Sequence, residues 1–582
     1  MTKPILATIG ILCAITADFA PAVRAGKTAP EKKIFAHYMG CFPVGYGPVE
    51  HHRKVQFPDE EPRDGDGNVD FKNSAGGRMI NWPLAPQALE YRLTPEQSAE
   101  LEIRRALRAG IDGFAVDAWA GSEGAHAVLG HLFAAAERLN APFELTICLD
   151  PYCHGKKEDG RIGPYSQTLA YLLEKYGDNP RLARRDGKPL VFGYYSSHLF
   201  FEPEFLSRPE SPEKWQKIAD AYKQIEKNIG REIFWHFDFS GMANATQTNP
   251  ALLLAAAKWA GENFPAIGAF TSRDCWDDPA ILGAFRAKDA ELSPPLWPQY
   301  INKTTGVIGI EPGTEKLRRL WKNAREMNAT LLQFVTWNDY GEDTILAPGY
   351  GTGYALMTLN RHFVEWWKTG TEPVVSKESI HLVFRRTAES VEPFPFQKRF
   401  LKAPSAAPGA ASAAVLEVAT LLAKPAHVTV PGCNESYDAP AGLFVKQFPL
   451  RAGNVAAFAL RGGKKILDVT AAEVVTEKPF REDWSMVCAS SNFDDEWNAD
   501  FSGLYPDAPP PPPFLYSEYG DADGDGLPNW FEMLWFGKFP DMTTATVADP
   551  DADPDGDGFS NLEEYKNRTN PTSPEKKDAP RQ

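Results

Sequence analysis

The stretch from residue 32 to residue 372 alternates short apolar runs with longer amphipathic runs. Short β-branched and aromatic runs are typical of buried strands, whereas apolar residues at every third or fourth position are typical of helices. The predicted strands are Lys33–Met39, Gly113–Ala118, Phe143–Leu149, Leu190–Tyr195, Ile233–Phe239, Ala266–Thr271, Leu296–Ile301 and Leu331–Trp337. Eight such units predict an α/β fold, a (β/α)₈ TIM barrel over residues 32–372.

Three further segments follow the predicted barrel. Short alternating runs separated by turn residues predict a β-sandwich accessory domain over residues 376–500. A run of five prolines marks residues 501–516 as an extended linker, and residues 517–574 contain two acidic loops. No catalytic constellation lies in the predicted sandwich, so a stabilising or spacing role is favoured over carbohydrate binding.

The last predicted strand changes character at its carboxyl end, where the catalytic face of a parallel barrel lies. Two carboxylates, Asp339 and Glu342, stand there beside Trp337, Asn338 and Tyr340. Glycoside hydrolysis needs one carboxyl group to protonate the leaving oxygen and another to activate water or attack the sugar. A solvated turn is the simpler explanation of an isolated Asp-x-x-Glu, but the flanking aromatic residues favour a functional site. We predict Asp339 as general base, Glu342 as general acid desolvated by Trp337 and Tyr340, and the other three residues as substrate contacts.

The same segment, Phe334–Glu342, resembles the Thr-Trp-Asn-Asp-Tyr-Gly-Glu signature of glycoside hydrolase family 71, the endo-acting α-1,3-glucanases or mutanases. Ile34–Met39 resembles the Val-Phe-Ala-His-Phe-Met opening of that family, and Gly110–Asp117 fits its second strand. The resemblance implies hydrolysis of α-1,3-glucan with inversion of the anomeric carbon. The chain departs from the family after Glu342, where Asp343-Thr-Ile stands in place of Ser-His-Tyr. Two alternatives therefore stay open, namely a glycosidase for another α-linked glycan and a non-catalytic glycan-binding surface protein.

Polar and aromatic residues also close most of the other predicted strands. A sugar cleft needs hydrogen-bonding groups for the hydroxyls and flat rings for stacking. The further predicted substrate contacts are His37, Asp117, Asp150, Tyr194, Asp238, Trp276 and Tyr300. Asp117 and Asp238 are reserves for either catalytic role, and His37 is equally well explained as a core histidine. The barrel sequence has no cluster of His or Asp residues with metal-ligand spacing, so we predict no metal in catalysis.

Two acidic loops near the end of the chain, Asp521–Glu532 and Asp553–Glu564, share one spacing. Each has oxygen-bearing side chains at positions one, three, five, nine and twelve, glycine at six and an apolar residue at seven whose carbonyl serves as a ligand. This is the spacing of calcium loops, and the tandem pair resembles dockerin and thrombospondin type 3 segments. The predicted ligands of two structural calcium ions are Asp521, Asp523, Asp525, Leu527, Asn529, Glu532, Asp553, Asp555, Asp557, Phe559, Asn561 and Glu564.

Charge and the start of the chain restrict the partners and the location. The net charge of −16 over 582 residues argues against nucleic acid and suits a neutral polysaccharide. Lys3, the apolar run Ile5–Ile15 and a small-residue site at Ala25 predict a signal peptide over residues 1–25, hence a secreted, periplasmic or cell-surface protein. We expect a monomer, with a surface or scaffold partner for the calcium segment. Cys433 and Cys488 either form a disulfide or remain buried thiols.

Overall fold

The computed structural model describes residues 30–42, 44, 81, 83–85, 93–118, 123–151, 161–199, 212–246, 248–270, 276–302, 307–387, 413–477, 479, 484–504, 520–537 and 544–574. The predicted signal peptide and most of the predicted linker lie outside these residues. Residues 32–582 form one compact unit. Among the residues given above, none of the helices combines the length and apolar character needed to cross a bilayer.

The described part of residues 32–372 folds as a parallel eight-stranded barrel surrounded by helices, which confirms the predicted fold class. The barrel strands are β1 (Lys33–Tyr38), β2 (Gly113–Ala118), β3 (Glu144–Leu149), β4 (Lys188–Gly193), β5 (Phe234–Asp238), β6 (Ala266–Gly268), β7 (Glu291–Ser293 with Pro295–Leu296) and β8 (Leu331–Phe334). The helices are α1 (Pro95–Arg108), α2 (Glu123–Arg138), α3 (Ile162–Tyr176), α4 (Pro212–Ile229), α5 (Ser240–Thr246), α6 (Pro250–Asn263), α7 (Pro279–Phe285), α8 (Glu315–Glu326) and α9 (Ala355–Thr369). The barrel closes because β1 pairs with both β2 and β8.

The seventh strand lies earlier in the chain than the predicted Leu296–Ile301. Its first part, Glu291–Ser293, pairs with β6, and its second part, Pro295–Leu296, pairs with β8. Pro294 and Pro295 have no N–H groups for a ladder, which hides this strand in the sequence. The predicted strand extended to Ile301, into an apolar stretch outside the barrel. In the structure Tyr300–Asn302 pairs antiparallel with Val307–Gly309.

The barrel interior is filled by side chains that alternate along the strands. Phe35 of β1 and Phe192 of β4 meet across it with ring centroids 5.4 Å apart. The other buried residues of this cluster are Ala115, Cys148, Ala183, Leu190, Phe234, Ala266 and Leu331. A filled interior leaves the loops at the carboxyl ends of the strands as the place for a cleft.

The chain beyond the barrel forms two four-stranded antiparallel sheets that share one apolar core. The strands are β9 (Ser379–Arg385), β10 (Val415–Leu422), β11 (Ala426–Val430), β12 (Glu435–Ala439), β13 (Gly442–Pro449), β14 (Gly453–Arg461), β15 (Lys464–Val475) and β16 (Met486–Ser490), followed by α10 (Phe493–Phe501). Cys433 and Cys488 are buried free thiols. Cys433 belongs to the sandwich core and Cys488 to the barrel core, which is why no disulfide joins them.

The acidic segment has an apolar core of its own. Helix α11 (Asn529–Trp535) contributes the buried Trp530 and Phe531, and α12 (Asn561–Asn567) adds the partly buried Leu562 and Tyr565. The two helices begin at the ninth positions of the two acidic loops, so this core fixes the loops relative to each other.

Candidate active site and metal-binding loops

The loop that follows β8 is tied to the loop that follows β1. The Trp337 N–H donates to the His37 carbonyl at 2.7 Å. The Asn338 side chain accepts from the Met39 N–H at 2.7 Å and donates to the carbonyls of Met39 at 2.9 Å and Phe42 at 3.2 Å. Asn338 is fully buried and uses its amide on backbone groups. This corrects its prediction as a substrate contact, because the side chain has a structural role.

Two aromatic residues of this loop, Trp337 and Tyr340, face the protein interior rather than a cleft. Both have no exposed surface. The Trp337 indole donates to Glu102 of α1 at 2.7 Å, and the Tyr340 hydroxyl donates to the Pro348 carbonyl at 3.2 Å. Neither ring is available to stack on a sugar, so the structure also corrects these two predicted contacts.

Asp339 and Glu342 lie close together and half-buried at the mouth of the barrel. Asp339 Oδ1 accepts hydrogen bonds from the backbone N–H groups of Gly341 and Glu342, each at 3.0 Å. Burial, and then the charge of Glu342, raise the pKa of Asp339 to about 7. The two backbone donors favour the ionised form and oppose that rise. The charge of Glu342 therefore favours the protonated form of Asp339.

Tyr300 and Tyr194 stand beside Glu342. The Tyr300 hydroxyl donates to Glu342 Oε1 at 3.3 Å. The pKa of Tyr194 is raised well above its usual range, first by burial and then by charges that include those of Glu342 and Asp150. Both tyrosines are half-buried, as is Asp150. Tyr300 and Tyr194 thus lie beside Glu342, and Asp150 lies near Tyr194, each with some surface exposed.

Cys41 lies near both Asp339 and Asp117. The pKa of the partly exposed Cys41 thiol is raised by burial first and then by the charges of Asp339 and Asp117, so the three groups are neighbours. His37 is nearly buried and packs edge-on against Phe270 at 4.9 Å between ring centroids. Burial lowers the pKa of His37 to about 3, so its imidazole is neutral.

Asp238 binds backbone groups of the surrounding loops. It has no exposed surface, and its oxygens accept from the backbone N–H groups of Tyr195 at 2.6 Å, Ser240 at 2.8 Å and Phe270 at 3.3 Å. Burial raises its pKa to about 6 against these donors. The bond to Tyr195 holds that residue at a φ of 42°, which few non-glycine residues adopt. Asp238 therefore anchors these loops through its three backbone donors, and its predicted role as a substrate contact and catalytic reserve stays a prediction.

Trp276 is the remaining predicted contact that the structure places elsewhere. Only 2% of its surface is exposed, and its ring lies 5.4 Å from that of Phe285 in α7. It belongs to the packing between a loop and a helix.

Three residues around the site, Cys41, Glu102 and Asp343, were not among the sequence candidates. Glu102 and Arg105 are charged residues on the buried side of α1, a signal that the amphipathic pattern contained. Asp343 directly follows Glu342 and is fully buried. No sequence signal distinguished Cys41, because a lone cysteine is common in cores.

The first three aspartates of each acidic loop lie close together. Oxygens of Asp521, Asp523 and Asp525 lie within 4.8 Å of one another, and so do those of Asp553, Asp555 and Asp557. The sixth residues, Gly526 and Gly558, have φ values of 97° and 96°, which glycine adopts without steric cost.

The two twelfth residues of the loops, Glu532 and Glu564, are fully buried. Both oxygens of Glu564 and Oε2 of Glu532 lack a hydrogen-bond partner among the described residues. Burial raises the pKa of Glu532 to about 7 and that of Glu564 to about 8, and the charges of nearby aspartates add to both shifts. Both side chains therefore lie beside the triads.

Known proteins resemble the chain in sequence and in fold. It is 22% identical over 299 residues to the ascus wall endo-1,3-alpha-glucanase of Schizosaccharomyces pombe, a match that covers 47% of this chain and 59% of that relative. Among solved structures, the GH99 endo-alpha-mannosidase from Bacteroides thetaiotaomicron is 13% identical, with a TM-score of 0.40 over 59% of this chain and 99% of that one. A glycosyl hydrolase family 2 member from Bacteroides cellulosilyticus is 10% identical, with a TM-score of 0.37 over 76% and 46% of the two chains. The model of glycosyl hydrolase family 71 matches residues 90–492, and the chain therefore belongs to that family of glycoside hydrolases.

Proposed function

We propose that this protein is an endo-acting hydrolase of α-1,3-glucan that inverts the anomeric carbon. The observation that carries the proposal is the pair Asp339 and Glu342 on one loop at the carboxyl end of β8, within a chain of family 71. The activity named for the ascus wall relative, a 1,3-alpha-glucanase, supports the linkage. The partly exposed Tyr194 and Tyr300 beside the pair supply ring surface and hydroxyls for a sugar.

In this proposal Asp339 activates water and Glu342 protonates the leaving oxygen. Two backbone N–H groups on Asp339 Oδ1 favour the ionised form that a base requires. Desolvation by Trp337 and Tyr340 no longer supports Glu342 as the acid, because both rings point away from the cleft. The assignment therefore depends on the position of Glu342 further along the loop, toward a leaving group that must exit. The Tyr300 hydroxyl donates to Glu342 Oε1 at 3.3 Å and favours the ionised form, so this contact does not support the acid role.

We further propose that the protein acts outside the cytoplasm. The signal-peptide pattern over residues 1–25 supports export, and the relative from an ascus wall acts at such a location by its name. Deleting residues 1–25 should keep the protein inside its native cells, and fractionation of those cells would test this. Retention of the undeleted chain in the cytoplasm would contradict the proposal.

A second proposal concerns calcium binding by the loops Asp521–Glu532 and Asp553–Glu564. The fit rests on two carboxylate triads and on the buried, unpartnered oxygens of Glu532 and Glu564 beside them. Buried carboxylates without donors are costly unless a cation neutralises them. The Leu527 and Phe559 carbonyls and the Asn529 and Asn561 side chains would complete oxygen-rich shells of the kind that Ca²⁺ prefers.

The function is tested by incubating the purified chain with a panel of glucans that differ in α-linkage. We expect oligosaccharide release from α-1,3-glucan, with products that first appear as the β-anomer in NMR spectra. Initial α-anomers would contradict inversion, and release from another α-glucan alone would change the assigned substrate. No hydrolysis of any member, by a folded chain, would contradict the enzyme proposal.

A further inference from the structure

Asp343, the residue that follows Glu342, is buried in the catalytic loop with a φ of 52°. Its carboxylate accepts hydrogen bonds from the Ser485 hydroxyl at 2.8 Å and from the Gln299 amide, and the Asn81 amide lies 3.4 Å away. A non-glycine residue holds this left-handed conformation only where its surroundings fix it. These side-chain contacts therefore determine how the loop turns after the catalytic acid.

Two of the groups around Asp343 connect it to the β-sandwich. Ser485 directly precedes β16 and is 1% exposed. Arg385, the last residue of β9, donates from its guanidinium to the Gln299 side-chain oxygen and to the Trp484 carbonyl. Gln299 is thus held between an arginine of the sandwich and a carboxylate of the barrel loop.

The residues after Gln299 extend this restraint to the catalytic acid. The Tyr300 hydroxyl donates to Glu342 Oε1, and the Ile301 N–H donates to the Glu342 carbonyl at 2.9 Å. The sandwich therefore reaches both the backbone and the carboxyl group of Glu342 through two short routes, one by Ser485 and Asp343 and one by Arg385 and Gln299.

We propose that Asp343 is a positioning residue through which the β-sandwich fixes the catalytic loop. The sandwich is then part of the catalytic apparatus, whereas the sequence favoured a stabilising or spacing role. This inference rests on the proposed function, because its main readout is hydrolysis. Errors of about 1 Å in the placement of a catalytic group reduce turnover about 100-fold, so a restraint of this kind has a measurable effect.

The charge of Asp343 supplies a readout that a purely structural role would not change. Burial, Glu342 and then Asp343 raise the pKa of Asp339. Among the described residues, the other titratable groups near this pair include Cys41 and Asp117 on Asp339 and Tyr194 and Tyr300 beside Glu342. Removing the Asp343 charge while these remain should lower the pKa of Asp339. The acid limb of the activity profile should then move to lower pH.

The experiment compares Asp343→Asn, Ser485→Ala and the double variant in the full chain. Ser491→Ala is the matched control, because the Ser491 hydroxyl accepts from the Ile380 N–H inside the sandwich and does not contact the loop. We expect kcat on α-1,3-glucan to fall about 10-fold in Ser485→Ala and about 10- to 100-fold in Asp343→Asn, with KM little changed. The losses should be less than additive in the double variant, because Ser485 acts on the loop through the side chain of residue 343. Only Asp343→Asn and the double variant should show the shifted acid limb, and Ser491→Ala should behave as wild type.

Wild-type kcat and an unshifted pH profile in both single variants would overturn the proposal. So would losses that simply add in the double variant. If Asp343→Asn does not fold, the kcat of Ser485→Ala alone tests the proposal, and a wild-type kcat would overturn it. If the wild type hydrolyses no α-glucan, the proposed function fails, and the contact is judged by whether the two substitutions couple in the thermal unfolding midpoint. Additive midpoints would then overturn the positioning role.

Discussion

The Trp337 indole N–H donates to Glu102 Oε2 at 2.7 Å, and both side chains are buried. Burial raises the pKa of Glu102 to about 7, against the charge of Arg105 and this hydrogen bond. Arg105 is itself paired with Asp500 of α10 at 2.6 Å. The start of the loop that follows β8 is therefore connected, through Glu102 and Arg105 of α1, to the helix after the sandwich.

Replacing Trp337 with Phe should lower the free energy of unfolding by about 1–3 kcal/mol at pH 8, because Glu102 Oε2 would lose its donor. The folded pKa of Glu102 lies above its unfolded value, so the stability it contributes is present below about pH 4 and is lost as pH rises through about 7. The penalty of Trp337→Phe should therefore be smaller at pH 5 than at pH 8. Urea unfolding at both pH values measures it.

Glu102→Gln is the control for this prediction, since the amide oxygen still accepts from the indole while the charge is removed. At pH 8, Glu102→Gln should lower the free energy of unfolding by less than Trp337→Phe does. Equal penalties for Trp337→Phe at the two pH values would show that the indole does not stabilise an ionised Glu102.

The barrel was predictable from the sequence because each strand carries its own signal. Short apolar runs of β-branched and aromatic residues located β1, β2 and β8 within a few residues, and Thr94 with Gln97 forms the capping box that starts α1. The seventh strand was misplaced because its proline pair breaks the ladder that defines a strand.

The loop after β8 shows the limit of such reasoning. A strand has a fixed alternation of faces, whereas a loop has none, so nothing in the sequence says that Trp337 turns inward while Asp339 faces the mouth. The partners that decide it are distant in the chain. Trp337 meets a residue 235 positions away, and Asp343 meets one 142 positions away.

Asp339→Asn should stabilise the protein at pH 8 while removing activity. The folded pKa of Asp339, about 7, lies well above its unfolded value of about 4, so its ionisation costs stability as pH rises between these values. The amide keeps an oxygen for the N–H groups of Gly341 and Glu342. We expect a gain of about 1–3 kcal/mol at pH 8 and almost none at pH 4, measured by thermal unfolding. A gain of the same size at both pH values would contradict the raised pKa.

The roles of the two carboxyl groups are separated by substrates with different leaving groups. Glu342→Gln should lose about 100-fold or more on α-1,3-glucan, yet little on an α-glucosyl fluoride, because fluoride leaves without a proton. Asp339→Asn should lose both activities, since both need an activated water. The acid limb of the wild-type profile should lie near pH 7, where Asp339 loses its proton. The reverse pattern in the two variants would exchange the roles.

Calcium titration of the full chain by calorimetry should show two binding events from the acidic segment. Glu532→Gln and Glu564→Gln should each lower the calcium affinity of one binding event by about 10-fold or more, because a bidentate carboxylate becomes a neutral amide. Asp551→Asn is the matched control, an exposed acid of the same segment that lies outside both triads. Chelator should leave glucan hydrolysis largely intact, since the segment has its own apolar core, but should increase proteolysis within residues 520–574. The absence of calcium binding by the folded chain, or equal weakening in Asp551→Asn, would contradict the site.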